Sequence, residues 1–140
     1  MAKAKSWCET EGYKNLALLL ARVAVGVIFI LAGWGKFQDM DAVVSMFDGW
    51  GFPAAAFFAW LTALVEFVGG IGLVLGIFTK LWSMLLGVTM LVAILAVHVP
   101  GGHDFNSVTR LPLALFAATV AMSSVGGGMW KVWSKECPWS

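Results

Sequence analysis

The sequence predicts an all-α integral membrane protein, a four-helix bundle with a short amphipathic helix between its first two spans. Three observations carry this. Of the 140 residues, 60% are hydrophobic and 12% are charged. That is more apolar surface than a water-soluble domain of this size can hide. The apolar residues fall into runs of spanning length, about 20 residues each. The runs lack the alternation of barrel strands, so helix is the form that satisfies backbone polar groups in hydrocarbon. The whole chain, 1–140, reads as one membrane domain with short tails.

The first span is predicted over about 15–37. Lys3, Lys5 and Lys14 precede it, as in a signal peptide. However, the run is long, contains Arg22 and continues into AGWGKF rather than a small-x-small cleavage site. It reads as a retained helix that also directs insertion. In the loop that follows, Met40, Val43, Val44 and Phe47 lie on one helical face and Asp41, Ser45 and Asp48 on the other. This predicts a short helix on the membrane surface. Gly49, Gly51 and Pro53 then turn the chain into the second span, 54–78. Thr79–Lys80 is a tight turn into the third, 81–99, and the fourth runs over 111–130.

Lys3, Lys5, Lys14, Lys80, Lys131 and Lys135 fall on one side of this topology. Lys36 and Arg110 fall on the other, beside four aspartates. The bias places both termini in the cytoplasm of a cell that holds the protein in its plasma (inner) membrane. Cys8 and Cys137 then lie on the cytoplasmic side, as two free thiols or as a redox pair or a site shared with a partner. Neither belongs to a CxxC pair or a Cys/His cluster, so no metal site is expected. A net charge of +1 and the lack of a basic stripe argue against nucleic acid as a partner.

Glu66 is the one charge between Pro53 and Phe78. A carboxylate there needs a partner or a task. Arg22, Gly26, Phe29 and Gly33 share a face of the first span, and Gly26 and Gly69–Gly70 would let two helices approach closely. The expected answer is an Arg22–Glu66 ion pair, mainly architectural. The alternatives are an Arg22 that snorkels to the headgroups and a Glu66 that keeps its proton and bonds Thr62, Thr89 or Ser123. Gly72 and Gly76 continue the small-residue pattern of helix contacts, within one subunit or between copies. His98, His103, Asp104 and Arg110 cluster in sequence after the third span and are candidate ligands for a quinone head group. The spacing of the two histidines is not that of a helical metal pair.

The stretches ARVAVGVIFILAGWGKF (21–37), WGFP (50–53) and LTALVEFVGGIGLVLGIFTKLWSMLLGVTMLVAILAVH (61–98) resemble the DoxX family of small four-helix membrane proteins. Arg22, the Gly33–Lys36 end of the first span, and Glu66 followed by Gly69–Gly70 carry the likeness. The loop after His98 lacks the aromatic-rich, glutamate-containing approach to span four that many relatives show. The resemblance implies cytoplasmic termini and a redox association. Members are similar to the small subunit of archaeal thiosulfate:quinone oxidoreductase, and others join membrane complexes that handle thiols and oxidative stress. It favours a subunit or accessory protein in a membrane redox assembly, with other membrane subunits as partners, over an enzyme acting alone. A purely structural accessory subunit and a small transporter are the rival readings.

The charge bias sets a first test. An impermeant thiol reagent should leave Cys8 and Cys137 unlabelled in intact cells and label both after lysis. Labelling of either before lysis would reverse the topology.

Overall fold

The structure is a computed structural model that describes residues 2–95 and 110–128, with side chains from Gly12 onward. All regular elements among these residues are helices: α1 (Ala2–Gln38), α2 (Met40–Gly49), α3 (Ala55–Leu75), α4 (Thr79–Ala93) and α5 (Arg110–Val125). Two stretches, Gly12–Gln38 and Ala55–Leu75, are long and apolar enough to cross a membrane, with 27 and 21 residues. At 1.5 Å per residue they are about 40 and 32 Å long, against a hydrocarbon core of about 30 Å. The described parts of α4 and α5 are shorter, at 15 and 16 residues. The ends of the expected third and fourth spans, 96–99 and 129–130, lie outside the described residues.

Polarity is inverted relative to a water-soluble protein. Arg22, Glu66, Thr79, Ser83 and Thr119 are buried. Leu20, Leu31, Phe57, Leu64, Met84 and Val120 are among the large apolar side chains that are exposed. Such a surface is soluble in lipid, not in water.

Helix α1 packs on α3, α3 on α4, and α4 on α5, while α1 also touches α5. The crossing of α1 with α3 is the tightest. A Cβ built on Gly33 would lie 2.7 Å from the Phe67 amide nitrogen, and one on Gly26 would lie 2.7 Å from Val74 Cγ2. One on Gly70 would lie 2.7 Å from the Gly26 carbonyl oxygen and 2.8 Å from the Ile30 amide nitrogen. These contacts set an antiparallel register in which 33 faces 67, 30 faces 70 and 26 faces 74. The expected Gly69–Gly70 pair is split between two neighbours. Gly70 meets α1, whereas Gly69 and Gly72 lie against the Trp82 ring of α4. Gly76 ends α3 rather than packing: its φ is +74°, and the Ile77 amide donates back to the Gly72 carbonyl at 3.0 Å. That is a Schellman closure, which favours glycine in the left-handed region.

The expected spans need other corrections. Helix α1 begins at residue 2, ahead of the expected span start at 15, and α3 ends at Leu75, so the turn is 76–78 and Thr79–Lys80, expected as the turn, begin α4. The predicted short helix exists as α2, capped by the Asp39 carboxylate, which accepts from the Ala42 amide at 3.2 Å. Its Val43 and Phe47 are buried in a cluster with Ala55 and Ala59, so the apolar face is turned onto α3. A second cluster joins the other helices through Val25 and Phe29 of α1, Leu73 of α3, Leu86 and Met90 of α4, and Leu115 and Met122 of α5.

The crossing yields a matched pair of variants. A methyl at Gly70 meets backbone on the α1 side, so Gly70→Ala should cost about 1–3 kcal/mol by forcing the helices apart. Gly35 has nothing within 4 Å of a new Cβ, so Gly35→Ala should be neutral or gain up to about 1 kcal/mol from helix propensity. Thermal unfolding in mild detergent measures both. Equal effects would mean that the close approach is not needed.

Candidate functional site

The α1–α3 register decides which cation answers Glu66. The level of Glu66 on α3 corresponds to about residue 34 on α1. Arg22 is 12 residues below that, about 18 Å along the axis, beyond the reach of its side chain. Lys36 is two residues above it. The structure pairs Lys36 Nζ with Glu66 Oε2 as a hydrogen-bonded ion pair, so the expected Arg22–Glu66 pair is replaced by Lys36–Glu66. The Glu66 side chain is 2% exposed and that of Lys36 is 25%. The alternative hydroxyl partners are engaged elsewhere. Thr62, Thr89 and Ser123 donate to the Phe58, Leu86 and Val120 carbonyls of their own helices.

Arg22 is buried, 3% exposed, and does not snorkel. Its Nη1 donates to the Gly127 carbonyl at 2.5 Å, across 105 residues of sequence. The glycine run after α5 makes this contact accessible. Gly126 and Gly128 take φ of +80° and +69°, which turn the chain back onto α1 beside Asn15 and Leu18.

The Lys36–Glu66 pair opens into a cavity of about 470 Å³. Its origin is geometric. Helix α1 stops at Gln38, opposite about residue 62 of α3, and the first two turns of α3 are flanked by α2 instead. The space left between α2, α3 and α4 is walled by Val43, Leu61, Val65, Leu85 and Val88. An aromatic run closes one side, with ring centroids 5.3 Å apart for Phe47–Trp50 and for Phe47–Phe52, and 5.8 Å for Phe52–Phe58. The polar groups on this wall are Lys36, Glu66 and the hydroxyls of Thr62 and Thr89. With one N–H spent on Glu66, the ammonium has two left to donate, and both threonine oxygens can still accept. A large apolar pocket with a few convergent polar groups suits a lipophilic ligand with a polar head.

Arg110 is the first residue of α5 and is exposed. His98, His103 and Asp104 lie outside the described residues. Among the described residues no cluster of His, Cys, Asp or Glu is arranged to hold a metal. The partner that sequence reading missed is Lys36, placed there at the outer end of the first span. Aligning Gly26 and Gly33 with the glycines of the second span in antiparallel order would have carried Lys36 up to Glu66.

The DoxX family model matches residues 17–99, more than half of the chain, including both α1–α3 partners and the cavity wall. The chain belongs to the DoxX family. It is 34% identical over 108 residues to "Putative oxidoreductase CatD" of Bacillus subtilis (strain 168), which covers 72% of this chain and 79% of that protein. It is 32% identical over 129 residues to "Uncharacterized membrane protein Rv3486" of Mycobacterium tuberculosis, covering 89% and 78%. It is 31% identical over 83 residues to "Inner membrane protein YqjF" of Escherichia coli (strain K12), covering 59% and 62%. No solved structure matches the chain. This DoxX protein is therefore a membrane protein whose named relatives include one termed an oxidoreductase.

A double-mutant cycle tests the ion pair. Lys36→Met leaves Glu66 buried without its counter-charge and should cost about 3–5 kcal/mol. Glu66→Met should cost less, because a partly exposed lysine can turn its amine outward. The double variant should lose clearly less than the sum of the two. The Arg22→Met and Glu66→Met pair should be additive in the same unfolding assay. Coupling between those two residues would restore the pairing that the register excludes.

Proposed function

We propose that this DoxX protein is the membrane subunit of a redox assembly, and that its cavity holds the ring of a lipid-soluble quinone. The observation that carries this reading is the apolar cavity of about 470 Å³ with a lysine–glutamate pair at its base. That size lies within the range of small-molecule sites. An aromatic and aliphatic wall suits a substituted ring, and the spare Lys36 N–H groups suit a ring carbonyl oxygen. The name of the Bacillus subtilis relative points to the same class of chemistry.

Reduction of a quinone to a quinol takes up two electrons and two protons. The electrons come from a partner protein that carries a flavin, a metal centre or reactive thiols, oxidising a thiol or sulfur compound. The protons reach the ring oxygens through groups that can exchange them, and Lys36 and Glu66 stand at that position. In this reading four helices cross the inner membrane, both termini are cytoplasmic, and α2 lies at the opposite interface, roofing the cavity. Val92 and Ala93 line the cavity near the end of α4, and the connection that follows carries His98, His103 and Asp104. These residues, with Arg110, are the proposed second set of head-group ligands. The partner subunits are membrane or membrane-associated proteins.

Quinone content measures this directly. Protein purified in mild detergent should carry quinone extractable into organic solvent. Lys36→Met, which removes a charge-assisted hydrogen bond, should weaken rebinding at least about tenfold. Leu61→Trp, which fills the cavity and leaves the ion pair in place, should abolish it. Wild-type quinone affinity in both variants would remove this cavity as the site. A protein that binds its partners but no quinone would then be a scaffold.

A further inference from the structure

A second polar layer lies at the other end of the bundle, remote from the cavity. A Cβ built on Gly87 of α4 would lie 3.2 Å from Thr119 Oγ1 of α5, so in antiparallel order residue 79 falls opposite about residue 127. Arg22 on α1, Thr79 on α4 and Gly127 after α5, all buried, therefore share one level at the end where α3 turns into α4. Ser83 lies one turn further into the bundle on the same face of α4. The hydrogen bond from Arg22 to Gly127 ties two sides of this layer together. The α1–α3 register agrees, since residue 22 falls opposite residue 78, where α4 is about to begin.

Two hydroxyls on the first turns of α4 are orphaned. Thr79 is 0% exposed and Ser83 is 1% exposed, and neither Thr79 Oγ1 nor Ser83 Oγ has a hydrogen-bond partner among the described residues. This is unlike Thr62, Thr89, Thr119, Ser123 and Ser124, each of which donates to a carbonyl of its own helix. A buried hydroxyl left without a partner costs about 1–3 kcal/mol, so a membrane protein that keeps two of them one turn apart has a use for them. They sit on the first turns of a 15-residue helix whose capping residue, Phe78, offers no side-chain cap. The amides of residues 79–81 start that helix and have no partner within it. A helix amino terminus with free amides attracts anions. The Arg22 guanidinium lies at the same level, and Lys80 is next to Thr79 in sequence.

We propose that the amino terminus of α4, with Thr79 and Ser83, forms a binding site for a tetrahedral oxyanion, a phosphate group, held beside Arg22 at the end of the bundle opposite the cavity. The two hydroxyls and the first amides of α4 supply directed donors, and Arg22 supplies positive charge. The group is either the phosphate of an anionic lipid or free inorganic phosphate. Both present the same oxygens to the same donors. The site stands independently of the quinone reading.

Thermal unfolding of the full chain in a neutral detergent, free of phosphate, tests this. Inorganic phosphate or phosphatidylglycerol at about a hundred times its Kd should raise the midpoint by about 5 °C or more. A response to phosphate identifies a free anion as sufficient. A response to phosphatidylglycerol but not to phosphatidylcholine or phosphate identifies a lipid. The Thr79→Val, Ser83→Ala double variant should unfold at or above the wild-type midpoint without ligand, because it removes two unsatisfied hydroxyls, and should lose the response to either probe. Two results would overturn the proposal: no response of the wild type to either probe, or an equal response in the double variant. A double variant destabilised before any ligand is added would also overturn it, because the hydroxyls would then be bonded within the protein.

Discussion

The close crossing of α1 and α3 sets nearly every other feature of this molecule. In a bilayer there is no hydrophobic force between helices, since lipid tails are as apolar as leucine, and association rests on packing and hydrogen bonding. Gly26, Gly33 and Gly70 bring two backbones to a separation at which a single added methyl would collide. A contact so short has one register. That register lifts Lys36 to Glu66, drops Arg22 to the level of the α3–α4 turn, and leaves the first turns of α3 for α2 to cover. The cavity is the space that remains because α1 ends before α3 does.

The energetics divide along the same axis. A buried carboxylate and a buried guanidinium are both expensive in low dielectric, and each is stabilised by a different device. Glu66 takes a cation from the neighbouring helix, one that keeps contact with the cavity. Arg22 takes a backbone carbonyl from a glycine turn at the end of the chain's last described helix. Two ionisable side chains of opposite sign are thus held apart, each stabilised at its own level of the fold. The membrane-facing surface contributes nothing comparable. It is aliphatic and aromatic, and its role is solubility in lipid.

Much of this was legible in the sequence, and the unread part has physical reasons. The 3.6-residue period placed Arg22, Gly26, Phe29 and Gly33 on one face, and that face is the buried one. The period also located α2, whereas the turn between α3 and α4, expected at Thr79–Lys80, falls at 76–78. The partner of Glu66 could not be read that way. Periodicity gives the angle of a residue about its helix, not its height relative to another helix. Height depends on the connection between them, and 16 residues (39–54) containing a helix can join α1 to α3 at many offsets. Lys36 was read as an outer-side charge at the end of the first span and so was not weighed as a partner inside the membrane, although the helix runs on past it to Gln38. The start of α1 was hidden for the opposite reason: residues 2–14 are mostly polar and carry no apolar stripe. His98, His103 and Asp104 lie outside the described residues.

Helix α1 runs unbroken for 37 residues, about 55 Å. Lys36 and Arg22 sit 14 residues apart on it, about 21 Å along one stiff rod. The two polar layers are therefore geared to each other by backbone hydrogen bonds rather than by a relay of side chains. A slide of the rod by one ångström, imposed at its far amino-terminal end, would displace both cations in the same direction and by the same amount. One charge would be drawn along its carboxylate as the other is drawn along its carbonyl, and anything that grips the rod there holds a mechanical handle on the cavity more than 30 Å away.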